Sequence, residues 1–371
     1  MPASTVMVVV GTRPEAIKMA PVIKALQARP SGKTILCVTA QHREMLDQAL
    51  QIFELKPDID LNLMTPGQDL ITLTARALTG LRDAIRQTKP DALLVHGDTT
   101  TCLAGGLAAA YERVPLGHVE AGLRTYNFEA PWPEEMNRRL VDPLCGWCFA
   151  PTEAARQNLL SERIPDANIV ITGNTAIDAL HLGMAAVRRT QTQPPAEVEA
   201  ALQGRRMVLV TGHRRESFGG GFENICHGLR DLADSVPDAL IVYPVHLNPN
   251  VQGPVKRILA DHPRIILLDP QPYLPFLALM ERSTLIITDS GGIQEEAPTL
   301  GKPVLVMRET TERPEAVEAG AAMLVGADRT RIAKEGARLL TDTVAYRLMA
   351  GVRNPYGDGH AAERIVSALS K

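Results

Sequence analysis

Three carboxylates stand where acid/base chemistry could use them. Asp98 lies in His96-Gly97-Asp98-Thr99-Thr100-Thr101, at the end of one buried apolar run. Glu120 lies in His118-Val119-Glu120-Ala121-Gly122-Leu123-Arg124-Thr125, at the end of the next. Glu134 lies in Pro131-Trp132-Pro133-Glu134-Glu135-Met136-Asn137-Arg138, a proline-bounded loop entering a helix. One such group alone reads as a helix cap or a structural ion pair. A set at neighbouring strand ends, beside cations, suits general acid/base work. His213, from the other half of the chain, adds a donor that titrates near neutrality.

The cations that would complete an anion site come from two places. Gly11-Thr12-Arg13-Pro14-Glu15 sets Arg13 on a first helical turn, with Pro14 near its favoured first position. Lys18 falls four residues beyond Pro14, on the same helical face. In the second half, Asp289-Ser290-Gly291-Gly292 follows an apolar run and opens a helix. It reads either as a tight turn capped by Ser290 or as a diphosphate site made of backbone N–H groups. Glu296, one helical turn on, would then meet the ribose hydroxyls. The run Arg308-Glu309-Thr310-Thr311-Glu312-Arg313-Pro314-Glu315 is either a solvated loop or the source of an Arg313–phosphate contact. Neither GxGxxG nor a Walker loop is present, so no dinucleotide or ATP cradle is indicated. No His/Cys/carboxylate group has ligand spacing of the HExxH kind. Cys145-Gly146-Trp147-Cys148 has the spacing of a redox pair or half a zinc site, but with no second CxxC or nearby His pair and in an apolar stretch it reads as core.

Elements of a particular kind must position these groups. Apolar β-rich runs occur at Val6–Val10, Ile35–Thr39, Ala92–His96, Pro115–Val119, Trp147–Ala150 and Ile169–Thr172. They resume at Met207–Thr211, Ala239–Tyr243, Ile265–Leu268, Leu285–Thr288, Pro303–Val306 and Ala322–Val325. Helical patterns separate them, most clearly at Glu15–Ala28, Leu70–Thr88, Thr152–Ser161, Phe222–Ser235 and Gln294–Leu300. Strands apolar on both faces, alternating with helices, predict an α/β protein with parallel, helix-covered sheets. The polar stretch Arg188–Gly204 reads as an interdomain connection with a short helix.

An internal echo supports a division into two. VMVVVGTRPE at 6–15 parallels MVLVTGHRRE at 207–216, pairing Gly11 with Gly212, Thr12 with His213, Arg13 with Arg214 and Glu15 with Glu216. Two doubly wound, Rossmann-like domains are therefore expected: 1–173, joined by a C-terminal helix at about 355–371, and 174–354. A chain of 371 residues also exceeds what one core usually supports.

Composition narrows the function classes. A net charge of −3 argues against a nucleic-acid partner. No apolar run reaches the roughly 18 residues of a membrane span, and the N-terminus has no basic n-region. Five cysteines do not make a disulfide scaffold at this length, so a cytoplasmic protein is expected.

At these residues the chain closely resembles the bacterial non-hydrolysing UDP-N-acetylglucosamine 2-epimerases. The matching stretches are GTRPEAIKMAPVI, HGDTTT, HVEAGLRT, PWPEEMNRR, TGHRRES, YPVHLNPNV and DSGGIQEEAPTLGKPVLVMRETTERPEA. The resemblance implies a fold like that of B-type glycosyltransferases, with the active site in the interdomain cleft, and a homodimer. It also implies interconversion of UDP-N-acetylglucosamine and UDP-N-acetylmannosamine for cell-surface polysaccharide precursors, with no cofactor. It assigns substrate contacts to Arg13, Lys18, Asp98, Glu120, His213, Gln271, Phe276, Ser290, Gly291, Gly292, Glu296 and Arg313. Asp98, Glu120 and Glu134 become the acid/base candidates, with His213 at the diphosphate leaving group. Gln271 and Phe276 would border the uracil, although pattern alone reads them as loop and core. Gln41, Gln68, Arg214 and His246 would correspond to a neighbouring site where substrate activates the enzyme.

The implied chemistry agrees with the residues. The C2 proton of a hexosamine is not acidic, because no carbonyl adjoins that carbon. With no dinucleotide fingerprint, the route left is expulsion of UDP from C1, removal of the C2 proton by a carboxylate, and re-addition through a 2-acetamidoglucal. Three other readings remain open at this point. A hydrolysing epimerase would resemble GTRAD at the first turn. A glycosyltransferase of the same architecture would need an acceptor. A nucleotide-sugar sensor would have no use for carboxylates on the sugar side.

Overall fold

The structure is a computed structural model. It describes residues 4–40, 43–63, 65, 67–129, 131–214 and 217–370, with the backbone alone at 43 and 44. The chain divides into two compact units, Met1–Leu182 with Tyr356–Lys371, and Gly183–Pro355.

In the first unit the apolar runs form a parallel sheet of β1 (Thr5–Val10), β2 (Lys33–Val38), β3 (Ile59–Asp60), β4 (Ala92–His96), β5 (Leu116–Val119), β6 (Trp147–Ala150) and β7 (Ile169–Ile171). Their order is β3-β2-β1-β4-β5-β6-β7. The second unit holds β8 (Arg206–Thr211), β9 (Ala239–Pro244), β10 (Ile265–Leu268), β11 (Leu285–Thr288), β12 (Val304–Val306) and β13 (Ala322–Leu324), ordered β10-β9-β8-β11-β12-β13. Both are doubly wound Rossmann-like sheets. The chain order reverses between β1 and β4 in one and between β8 and β11 in the other, the places where such sheets bind ligands.

Every strand expected from sequence is present, with ends shifted by a residue or two. The two-residue β3 pairs only Ile59 and Asp60 with β2 and carries no apolar pattern to announce it. The cores are aliphatic: Val9, Leu93 and Val95 anchor one, and Val208, Ile287 and Leu305 the other. Burial on both sheet faces makes these strands near-continuous apolar runs.

Residues 188–204 do not connect the units. The chain passes from one unit to the other inside the helix Thr175–Thr190, between Leu182 and Gly183. The stretch comprises the end of that helix, a turn and the helix Ala196–Leu202, all within the second unit. Its prolines interrupt helix rather than marking a linker.

The C-terminal helix Ala361–Leu369 returns to the first unit. Its otherwise orphaned N–H groups are satisfied by Asp178, whose oxygens accept from Ala361 at 3.2 Å and Ala362 at 2.9 Å. Among the described residues no helix is long and apolar enough to cross a membrane.

Candidate active site

Each unit carries one group of the predicted residues, at its own switch point. In the first unit, Gly11 follows β1 against the start of the helix Thr100–Tyr111. A Cβ at Gly11 would overlap the Thr101 and Thr39 hydroxyls, so only glycine lets the turn pass. Thr12 and Glu15 form a capping box for the helix Arg13–Gln27. Buried Glu15 accepts from the N–H groups of Gly11 and Thr12 at 2.9 and 2.8 Å and from the Thr99 hydroxyl at 2.6 Å. Burial pushes its carboxyl up, against those hydrogen bonds. Glu15 is thus a brace between the two switch-point turns. Arg13 is half-buried, and its guanidinium makes no hydrogen bond or ion pair among the described residues.

Lys18 and Glu120 meet directly: Nζ lies 2.5 Å from Oε2. The Glu120 backbone has φ +70°, a left-handed conformation that an ordinary side chain adopts only when its surroundings hold it there. The N–H groups of Glu120 and Ala121 both donate to the Phe149 carbonyl at 3.1 Å, and Asn174 Nδ2 donates to Glu120 Oε2 at 3.1 Å. Asp98, a quarter exposed, is gripped by Arg138, and Asn137 holds its backbone carbonyl at 2.7 Å. Glu134 is half-buried in the first turn of the helix Glu134–Val141. Its neighbour Glu135 is fully buried and accepts from the N–H groups of Thr125 and Tyr126, fixing the loop that leads into that helix.

Behind this group lies a polar network that sequence reasoning left unassigned. His118 places Nε2 at 2.7 Å from the Gly97 carbonyl and Nδ1 at 2.5 Å from Asp142 Oδ1. Arg124 donates to Asp142 at 2.6 Å and to Glu162 at 2.7 Å. Burial opposes ionisation of Asp142, but His118 and Arg124 outweigh it and hold its carboxyl below the ordinary range. The network fixes the Gly97 carbonyl, and so the turn that carries Asp98. Its only sequence signal is polar residues at strand ends beside those already chosen.

In the second unit, Asp289 acts as a backbone fastener. Its Oδ2 accepts from the N–H groups of His213 at 2.6 Å and Arg214 at 2.8 Å, tying the turn after β8 to the turn after β11. The pairing Thr211–Thr288 is the last rung between those strands, and the two hydroxyls meet at 2.6 Å. Ser290 occupies the cap position of Gly291–Glu296, yet its hydroxyl makes no cap bond. The simple capping reading therefore does not account for the serine. Gly291 and Gly292 open the helix, and Glu296 lies half-buried in its last turn.

The charge run is folded against these turns rather than solvated. Arg313 pairs with buried Glu295, and Arg308 and Arg214 both pair with Glu312. Burial works to raise the Glu312 carboxyl, but the two arginines overcome it and hold it at about 2. His213 stacks on His246 with ring centroids 5.2 Å apart, and its Nδ1 lies 3.6 Å from Asp289 Oδ1. Burial lowers its proton affinity; Asp289 opposes this, while His246 and Arg214 add to it. The result favours a neutral imidazole near pH 7.

Gln271 is half-buried with Nε2 on the Asp269 carbonyl at 2.8 Å, and Phe276 is half-buried on the helix Tyr273–Arg282. Gln68 lies in the first unit with its Oε1 buried and without a hydrogen bond among the described residues, whereas Arg214 and His246 lie in the second beside His213. Gln41 and Glu216 fall outside the described residues. Cys145 and Cys148 are buried, their thiols directed at the carbonyls of Val141 and Asp142. Among the described residues no group of three His, Cys, Asp or Glu side chains is arranged to hold a metal ion.

Known proteins resemble this chain along nearly its whole length. The family model for UDP-N-acetylglucosamine 2-epimerase matches residues 24–370. A UDP-N-acetylglucosamine 2-epimerase from Escherichia coli O157:H7 is 58% identical over 367 residues, covering 98% of each chain. The crystal structure of UDP-GlcNAc 2-epimerase from Neisseria meningitidis bound to UDP-GlcNAc superposes with a TM-score of 0.88 at 48% identity, covering 98% of this chain and 99% of that one. A putative UDP-N-acetylglucosamine 2-epimerase from Listeria monocytogenes superposes with a TM-score of 0.92 at 45% identity, covering 99% of this chain and 95% of that one. The chain belongs to the UDP-N-acetylglucosamine 2-epimerase family.

Proposed function

We propose that the protein interconverts UDP-N-acetylglucosamine and UDP-N-acetylmannosamine without hydrolysis. The observation that carries this reading is the pairing of two of the three candidate carboxylates of the first unit with a cation each, Glu120 with Lys18 and Asp98 with Arg138. Such pairs hold the carboxylates in place until a substrate engages them. The names of the relatives, and the UDP-GlcNAc bound in the Neisseria structure, support the same substrate.

The reaction is an anti elimination and its reverse. The C1–O bond breaks with its electron pair leaving on UDP, while a carboxylate takes the C2 proton and a C1–C2 double bond forms. Re-addition of UDP, with proton delivery to the other face of C2, gives the epimer. Asp98, Glu120 and Glu134 are the acid/base groups, acting as a coupled set. Arg13, Lys18, His213, Arg313 and the N–H groups at Ser290, Gly291 and Gly292 serve the diphosphate, where negative charge develops. Glu296 serves the ribose, and Gln271 and Phe276 the uracil. Arg214, His246 and Gln68 belong to an activating substrate site. The working state proposed is a cytoplasmic homodimer, supported by the family resemblance and testable by sedimentation.

Chromatography of products from UDP-GlcNAc tests the reading. It predicts a mixture of the two UDP-sugars with no free sugar. Release of free N-acetylmannosamine in step with UDP would contradict it.

A further inference from the structure

His96, the last residue of β4, is only 4% exposed, yet among the described residues neither of its ring nitrogens finds a hydrogen-bond partner. A buried polar group left in this state costs roughly 1–3 kcal/mol, so its presence calls for a reason. Its Nε2 lies 3.8 Å from Glu120 Oε2, the oxygen that also receives Lys18 at 2.5 Å and Asn174 at 3.1 Å. Four titratable groups act on the ring: Glu120 after β5, Lys18 from the helix Arg13–Gln27, His118 from β5 and Asp98 from the turn after β4. Burial, ahead of the attraction of Glu120, pushes the imidazole down to about 4. At neutral pH the ring therefore carries one N–H and one lone pair. His118 is not equivalent, because both its nitrogens are engaged, by Gly97 and Asp142.

We infer that His96 is a positioning residue for Glu120, donating Nε2–H to Oε2 when the substrate diphosphate draws Lys18 away. The inference rests on the epimerase reading above. An ammonium in contact with a carboxylate weakens it as a base, whereas a neutral donor holds the same oxygen and weakens it less. Exchanging Lys18 for His96 would keep Glu120 in place while making it a better acceptor for a carbon-bound proton. A movement of about 1 Å takes 3.8 Å to ordinary N–H···O length.

The test measures C2–H exchange of UDP-GlcNAc in D2O against pH, for the wild-type enzyme, H96F and H96Q, with UDP affinity by calorimetry. H96F should lose about tenfold in kcat, the worth of one hydrogen bond to a charged group. Its KM and UDP affinity should stay within about twofold, marking an interaction used in the chemical step. The acid limb of its pH profile should move upward, because the ionised carboxylate has lost a donor. H96Q, whose amide reaches the Nε2 position, should recover most of the rate. An unchanged rate and profile in H96F, or an H96Q as slow as H96F, would overturn the inference while leaving the functional reading intact. Should H96F fail to fold, H96Q against H96N decides, since asparagine does not reach the Nε2 position; equal rates would overturn it. Absence of exchange in the wild-type enzyme would remove the functional reading, and this inference with it.

Discussion

Arg138 lays two nitrogens against one oxygen of Asp98, Nε at 3.0 Å and Nη2 at 2.6 Å. The same guanidinium holds buried Glu135 through Nη1 at 3.1 Å. A planar fork is needed to serve both carboxylates at once, and a lysine ammonium is a point charge. Asp98 is therefore set by a residue one turn into the helix Glu134–Val141, which also ties down the loop before that helix.

From that geometry, R138K should fold but lose about a hundredfold in turnover, the effect expected when a reacting group is misplaced by about 1 Å. UDP affinity, read by calorimetry, should hardly change. Wild-type turnover in R138K would show that Asp98 needs no such grip.

Glu296 and Arg313 should separate binding from stability. E296A, at a half-buried position, should weaken UDP binding and lower the melting temperature less than R313A does. R313A should weaken binding and also destabilise the fold, because Glu295, 1% exposed, would lose its cation. Breaking a buried pair in this way costs about 3–5 kcal/mol. Equal melting temperatures for the two variants would contradict the Arg313–Glu295 pairing.

Glu312 gives a stability prediction with a definite pH window. Its folded value of about 2 lies below the ordinary glutamate value, so its contribution is complete above about pH 4.5. It fades as pH falls toward 2, where the carboxylate protonates in the folded state as well. E312Q should therefore melt below wild type at pH 7, and the two melting curves should converge on acidification. A gap that stays constant with pH would remove Arg214 and Arg308 as its partners.

The described cysteines should behave as core residues. All five are buried, and burial raises the Cys145 thiol well above its usual value. Native protein should react with a thiol reagent far more slowly than unfolded protein, and C145S/C148S should retain turnover. Rapid labelling of the native enzyme would restore a redox role for the pair.

Much of this was legible in the chain because parallel strands are apolar on both faces and polar groups concentrate at their carboxyl ends. Gly11 and Gly212, which echo one another in sequence, both follow the first strand of a sheet at its switch point. The brace at Glu15 and the fastener at Asp289 were not legible, since a buried carboxylate satisfied by backbone N–H groups has the same letter as a catalytic one. His96 was hidden for a related reason: a strand-final histidine announces neither its burial nor its neighbours. The polar stretch at 188–204 misled because prolines mark helix ends as readily as linkers.

The most direct test of the account is an NMR time course of UDP-GlcNAc with the enzyme in D2O, repeated for D98N and E120Q. The wild-type enzyme should place deuterium at C2 of both UDP-sugars and release no free sugar. Each amide variant should lose that exchange while still binding UDP. Undiminished exchange in both variants, or epimer formed with its C2 proton retained, would contradict it.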